Sequence, residues 1–345
     1  MHNRRTALQS LAAAAAIAAL PSPAAAARTP LRKPPRLRKG DTVGLVEPAG
    51  FTDDAFDLAL VMESVRAMGL VPKPARHLAA RWGYLAGKDA DRAADVNAMF
   101  ADDGVRAIFA VRGGWGSARI LPHLDWKTIR ANPKLLIGFS DITALHMAIA
   151  AKAGFTTIHG PNAASSWGAL SWDSFRALAF EGQTPTYASP TGSEDRLVQR
   201  AGRTRTLRGG KATGPLLGGN LTVLTALMGT PYLPEFDGAI LFIEDVDEAE
   251  YRIDRMLTQL ALGGVLGRVA GVVFGQCTDC RARGPSYGGF TLSEVLQQHL
   301  APLRVPAFQG ALIGHVANQY SIPVGARAEI DADAGTIRIL EPAVA

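Results

Sequence analysis

Apolar and polar positions follow two periods along this chain. Thr42–Val46, Val105–Val111 and Leu135–Phe139 are short, bounded apolar runs that predict buried strands. Asp54–Met68, Ala90–Phe100 and Ile142–Lys152 carry helical spacing, the first closed by Gly69 and the last by Gly154. The alternation resumes past residue 209. There Ala239–Ile243, Val269–Phe274, Ala311–Ile313 and Thr336–Leu340 predict strands, and Leu221–Met228, Ala249–Leu262 and Leu292–Leu300 predict helices. Strand–helix alternation of this kind predicts an α/β fold, with mostly parallel sheet covered by helices.

Residues 166–209 break the pattern. They are rich in Ser, Thr, Gly and Pro, hold no sustained period, and read as a connecting region with a short helix near Trp172–Phe180. The expected organisation is therefore an N-terminal α/β domain over 39–165, a connector over 166–209, and a smaller C-terminal α/β domain over 210–345. Residues 28–38, Pro-rich and basic, read as a linker. Ahead of them, residues 1–27 combine a basic head, an apolar Ala-rich stretch and small residues suited to cleavage, the layout of an export signal. Arg4-Arg5 gives it a twin-arginine character and points to the periplasm. The apolar run is short for a bilayer, so no permanent membrane span is expected.

Composition adds exclusions. The 345 residues carry a net charge of +5, but Lys and Arg are scattered, with no basic run or aromatic-interleaved basic stripe to bind nucleic acid. The two cysteines, Cys277 and Cys280, form one C-x-x-C without the second pair that a structural zinc site needs. They read as packed cysteines at a strand end, with a local disulfide as the other reading. No cofactor motif is complete: Arg112-Gly113-Gly114-Trp115-Gly116 lacks both the dinucleotide spacing and the P-loop Lys.

Three residues stand just beyond the carboxyl ends of expected strands, the edge where open parallel sheets gather catalytic groups. Ser140, in Gly138-Phe139-Ser140-Asp141, falls at a strand-to-helix junction and has the logic of a nucleophile elbow, although position 142 is Ile rather than Gly. A Ser that only caps the helix is the plain alternative. Glu244 is the first charge after Ala239–Ile243. The acids that follow suit a helix start, with Asp247 as cap and Glu250 as its capping-box partner, better than a metal site, since no His lies nearby. His315 follows Ala311–Ile313, and His159 is its competitor. In a triad, His315 takes the Ser140 proton and Glu244 fixes the imidazole and stabilises its charged form. The N–H of Asp141 and one from the Arg112–Gly116 loop, at Gly114, are the expected oxyanion donors. Asn220 reads as a helix cap.

Taken together these segments resemble the LD-carboxypeptidase family, which includes the microcin-C-resistance peptidases. The matching stretches are Tyr84–Gly87, Arg112–Ser117, Gly138–Thr143, His159–Pro161, Gly218–Leu221, Glu244-Asp245 with Tyr251–Asp254, and Gly314-His315, in order along the chain. Trp115 stands where the family often has Tyr. The resemblance implies a nucleophile on the N-terminal domain, acid and base on the C-terminal one, and a site between them. It implies Ser140, Glu244 and His315 as triad, Asp141 and Gly114 as backbone donors, no metal or cofactor, and a homodimer. The reaction implied is removal of the terminal D-Ala from a murein tetrapeptide. A microcin-like acyl-peptide hydrolase and a non-catalytic cell-wall-peptide binding protein are the alternatives.

Overall fold

The structure, a computed structural model, describes residues 31–190, 198, 202–281 and 289–345. The expected export signal lies outside the described residues. In chain order the strands are β1 (Thr42–Val46), β2 (Val71–Pro74), β3 (Ala107–Ala110), β4 (Leu135–Gly138), β5 (Thr157–His159), β6 (Thr186–Tyr187), β7 (Arg205–Arg208), β8 (Lys211–Asn220), β9 (Ile240–Val246), β10 (Gly271–Thr278), β11 (Ala307–Gln309), β12 (Ile322–Val324), β13 (Arg327–Asp331) and β14 (Thr336–Ile339). The helices are α1 (Ala55–Ala67), α2 (Asp89–Ala101), α3 (Ser117–Ile120), α4 (Trp126–Ala131), α5 (Thr143–Lys152), α6 (Ala169–Ala179), α7 (Leu221–Ala226), α8 (Glu250–Leu262) and α9 (Leu292–Leu300).

A six-stranded sheet runs β12-β5-β4-β3-β1-β2, with every pair parallel except β12 against β5. Its central strands β3 and β4 are buried at every position, which is why they read as unbroken apolar runs. An eight-stranded sheet runs β6-β14-β13-β8-β9-β10-β11-β7. Its centre, β8-β9-β10-β11, is parallel, and the outer pairs are antiparallel.

One continuous core joins the sheets. Helix α5 is buried from Thr143 to Ala150 and packs against β8 and α7, so it has no broad polar face to solvent, and its buried polar side chains Thr143 and His146 are hydrogen-bonded inside the protein. A second cluster, with α1, α6 and the C-terminal Ala343 and Val344, covers the opposite face of the six-stranded sheet.

Several expectations need correction. Ala311–Ile313 is not a strand: β11 ends at Gln309, and Gly310, at φ 98°, turns the chain into the loop that carries His315. Residues 31–38 are packed rather than a free linker, for Leu37 is buried and its N–H donates to Ala179 O at 2.8 Å. The helix in 166–209 is longer than expected and belongs to the six-stranded sheet through Phe175 and Leu178. The chain also returns: β12 leaves the C-terminal half to extend that same sheet. Asp247 does not cap α8. It sits in left-handed backbone at φ 57° with its N–H donating to Thr278 O, and the helix begins three residues later, at Glu250, with Ala249 in the cap position. The two cysteines are joined as a Cys277–Cys280 disulfide, which a turn through Asp279 at φ 56° allows.

Candidate active site

Ser140 leaves β4 at a tight corner. Its φ is 63°, a left-handed conformation that costs a non-glycine residue about 1–3 kcal/mol and that surrounding contacts must enforce. Those contacts are visible. The Phe139 N–H donates to Asn162 Oδ1 at 3.1 Å, and the buried His146 ring lies between Gly138 O and Thr157 Oγ1, at 2.8 Å from each. Burial lowers the His146 pKa to about 4, so the ring is neutral and donates to the Gly138 carbonyl. Position 138 must be glycine: its φ is 156°, and a Cβ would stand 2.8 Å from Asn162 Oδ1.

The elbow brings Ser140 Oγ to 3.0 Å from His315 Nε2, and His315 Nδ1 lies 2.7 Å from Glu244 Oε2. Thus the three residues chosen from strand ends meet in one hydrogen-bonded row. Glu244 is fully buried and its second oxygen, Oε1, has no hydrogen-bond partner among the described residues. His315 is about one-fifth exposed. The ring of His315 also packs against Phe139, centroids 4.8 Å apart. Its backbone is held from the other side by Thr278, whose hydroxyl donates to His315 O at 2.5 Å. Thr278 lies inside the loop that the disulfide closes.

The acid next to Glu244 faces elsewhere. Asp245 accepts from Asn220 Nδ2 at 3.0 Å, Thr222 N at 3.0 Å and Thr222 Oγ1 at 2.9 Å, while the Asn220 N–H donates to Thr143 Oγ1 at 2.9 Å. This chain of bonds ties the end of β9 to the start of α5, one turn past Ser140. Asn220 also caps α7, accepting from Val223 N, as expected. Burial and the neighbouring Glu244 push the Asp245 carboxyl up. Glu248 turns to Thr222 and Arg252. The acidic run therefore diverges, and among the described residues no three His, Cys, Asp or Glu side chains converge as a metal site would need.

Asp141 uses its side chain structurally. Its Oδ2 accepts from Ser117 N at 2.7 Å, Ser117 Oγ donates to its carbonyl, and burial pushes its carboxyl up. That leaves its backbone N–H, at the start of the helical turn, for the expected role. Gly114 (φ 116°) follows Gly113, where a Cβ would stand 2.9 Å from Ser140 Cβ and 3.1 Å from Oγ, so the Arg112–Gly116 loop lies directly against the nucleophile position. His159, the competitor, stands behind the elbow. It is fully buried, edge-on to Phe139 and Phe242, and burial keeps it neutral by lowering its pKa.

Ser140 and His315 open onto a cleft of about 500 Å³. Thr52, Asp57 and Leu60 form the α1 side, Arg112–Gly114 the β3 side, and Asn162–Ser165 a third side. Asn162, His146, Asp245 and Thr278 support the row and were not singled out from sequence. Only long-range pairing shows their role, although Asn162 directly follows the matching stretch His159–Pro161 and Asp245 lies in the matching pair Glu244-Asp245.

Comparison with known proteins identifies the family of the chain. The LD-carboxypeptidase N-terminal domain model matches residues 43–160, and the C-terminal domain model matches residues 213–330. The chain is 38% identical over 308 residues to a Bacillus subtilis protein described as "Probable murein peptide carboxypeptidase", covering 87% of this chain and 91% of that one. It is 30% identical over 306 residues to the murein tetrapeptide carboxypeptidase of Pseudomonas aeruginosa, covering 84% and 92%. The solved structure of the microcin C7 self-immunity protein MccF superposes with a TM-score of 0.81 at 25% identity, covering 91% of this chain and all of that one.

Proposed function

The chain belongs to the LD-carboxypeptidase family of serine peptidases, and from that premise we propose that it hydrolyses the L,D-peptide bond before the terminal D-Ala of murein tetrapeptides, with Ser140 as nucleophile. The observation that carries the assignment is the row Ser140–His315–Glu244, with bonds of 3.0 and 2.7 Å. His315 Nε2 takes the hydroxyl proton as Oγ attacks the carbonyl carbon, then returns a proton to the departing amine of D-Ala. Water repeats the cycle on the acyl-enzyme. The burial of Glu244 supports its part. A desolvated carboxylate whose second oxygen has no partner among the described residues gains most when the imidazole beside it becomes charged, which is the moment of attack. The N–H groups of Asp141 and Gly114 face the developing oxyanion in this reading.

The expected export signal makes the periplasm the place of action and released or intact murein peptides the source of substrate. A homodimer is part of the same reading. Among the described residues no helix is long and apolar enough to cross a membrane.

The test is mass spectrometry of muropeptides incubated with the purified protein. Tetrapeptides should become tripeptides with release of free D-Ala, and an unchanged tetrapeptide pool would refute the proposal. The likeness to MccF favours one competitor, an aminoacyl-nucleotide amide. Faster turnover of such an amide than of tetrapeptide would replace the murein reading while keeping the triad.

A further inference from the structure

A carboxypeptidase must read the free carboxylate beside the bond it cuts. We propose that Arg112 is the specificity-determining residue that does so here, clamping the terminal carboxylate of the D-amino acid; this rests on the carboxypeptidase reading above.

The argument starts from position. In a C-terminal residue the carboxylate carbon is three bonds from the scissile carbonyl carbon, so it sits roughly 3–4 Å from the atom that Ser140 attacks. The cation that holds it must therefore stand close to Ser140. Arg112 immediately precedes Gly113, where a Cβ would stand 2.9 Å from Ser140 Cβ. Among the described residues that line the Ser140 cleft, Arg112 is the one Arg or Lys.

Its state fits the role. Arg112 Nη1 donates to Phe51 O at 2.8 Å, which fixes the guanidinium without spending its other donors. Its charge acts on the buried Glu47 carboxylate, but among the described residues no carboxylate lies within 4.0 Å of it as an ion pair, although Asp53 and Asp57 line the same cleft. A planar fork with free N–H groups matches a carboxylate in two parallel bonds. The two aspartates repel an anion from the α1 side, so the field along the cleft directs the carboxylate to the Arg112 end. Arg112 thereby also distinguishes a chain end from an internal D-residue, which has no carboxylate at that place.

The experiment compares a tetrapeptide ending in D-Ala acid with the same peptide ending in D-alaninamide, for the wild type, Arg112→Gln and Arg112→Lys. The wild type should prefer the acid by about a hundredfold in kcat/KM, the scale of a charge-assisted hydrogen bond lost with the carboxylate. Arg112→Gln should lose that preference by slowing on the acid, mainly through KM, so that its rates on acid and amide converge. Arg112→Lys should keep part of it, which shows that folding and the Ser140 row survive changes at this position. An Arg112→Gln enzyme that keeps the acid preference overturns the assignment and leaves the carboxypeptidase reading intact, whereas a wild type that cleaves both peptides equally overturns the assignment together with the demand for a free chain end. A wild type that cleaves neither overturns both.

Discussion

Gly314 lies directly against Glu244: a Cβ built at 314 would overlap Oε2 of the carboxylate and stand 2.7 Å from Glu244 Cβ. The backbone at 314 has φ 94°, so an alanine there is strained as well as crowded. Because Gly314 immediately precedes His315, the acid can reach the base only if this residue has no side chain. Gly314→Ala should lower kcat by about a hundredfold or more and cost about 1–3 kcal/mol of stability. Steady-state kinetics beside a urea titration checks both numbers.

Glu244→Gln separates charge from shape. The amide has the size of the acid but cannot stabilise an imidazolium, and kcat should fall by about 10²–10⁴-fold. Stability should hold or rise, since the substitution removes a fully buried carboxylate whose Oε1 has no partner among the described residues. A variant that loses activity together with its fold would show that Glu244 is a packing residue.

Much of this site was legible in the sequence because strand ends announce themselves. Ser140 and Glu244 each follow an apolar run, and burial of β4 and of most of β9 explains why those runs are unbroken. For His315 the strand-end signal is only partly right, as its loop follows β11 through Gly310 rather than a strand at Ala311–Ile313. Strand β8 was not legible at all. Its sequence holds three glycines and a proline, which propensity assigns to turns. Gly214 and Gly218 are there because a Cβ would collide with Gly238 O and Phe242 O across the sheet, a constraint that exists only once the strands are paired. Strand β12 hides similarly: Ile322-Pro323-Val324 carries a proline that only an edge strand tolerates, and it takes the edge of a sheet whose other strands lie more than 160 residues upstream.

The loop closed by Cys277–Cys280 steadies the base. Thr278 donates to the His315 carbonyl from inside that loop, so Thr278→Val should reduce kcat several-fold, in line with one bond of about 1 kcal/mol. A Cys277→Ser/Cys280→Ser double variant should show a similar loss, with a stability cost of at most about 2 kcal/mol because the closed loop is short. Rates indistinguishable from wild type in both would show that His315 is positioned by Glu244 and Phe139 alone.

The neutral His146 makes stability depend on pH. The unfolded imidazole takes a proton below about 6.5, whereas in the fold burial delays this to about 4. The unfolded state therefore binds more protons between those values. The stabilisation is complete above pH 6.5 and is lost as pH falls through that window, by roughly 3 kcal/mol in all. Burial of His159 adds to the trend, and the raised carboxyls of Asp141 and Asp245 oppose it. His146→Gln should flatten the dependence. Urea midpoints at pH 7.5 and 5 for both proteins give the difference, and parallel shifts would contradict it.

The most direct measurement of the central claim is the rate of D-Ala release from a murein tetrapeptide by Ser140→Ala, set beside its thermal melt. The row Ser140–His315–Glu244 requires turnover to fall by several orders of magnitude while the melt stays near that of the wild type. A folded Ser140→Ala protein that still releases D-Ala at the wild-type rate would remove the hydroxyl from the chemistry.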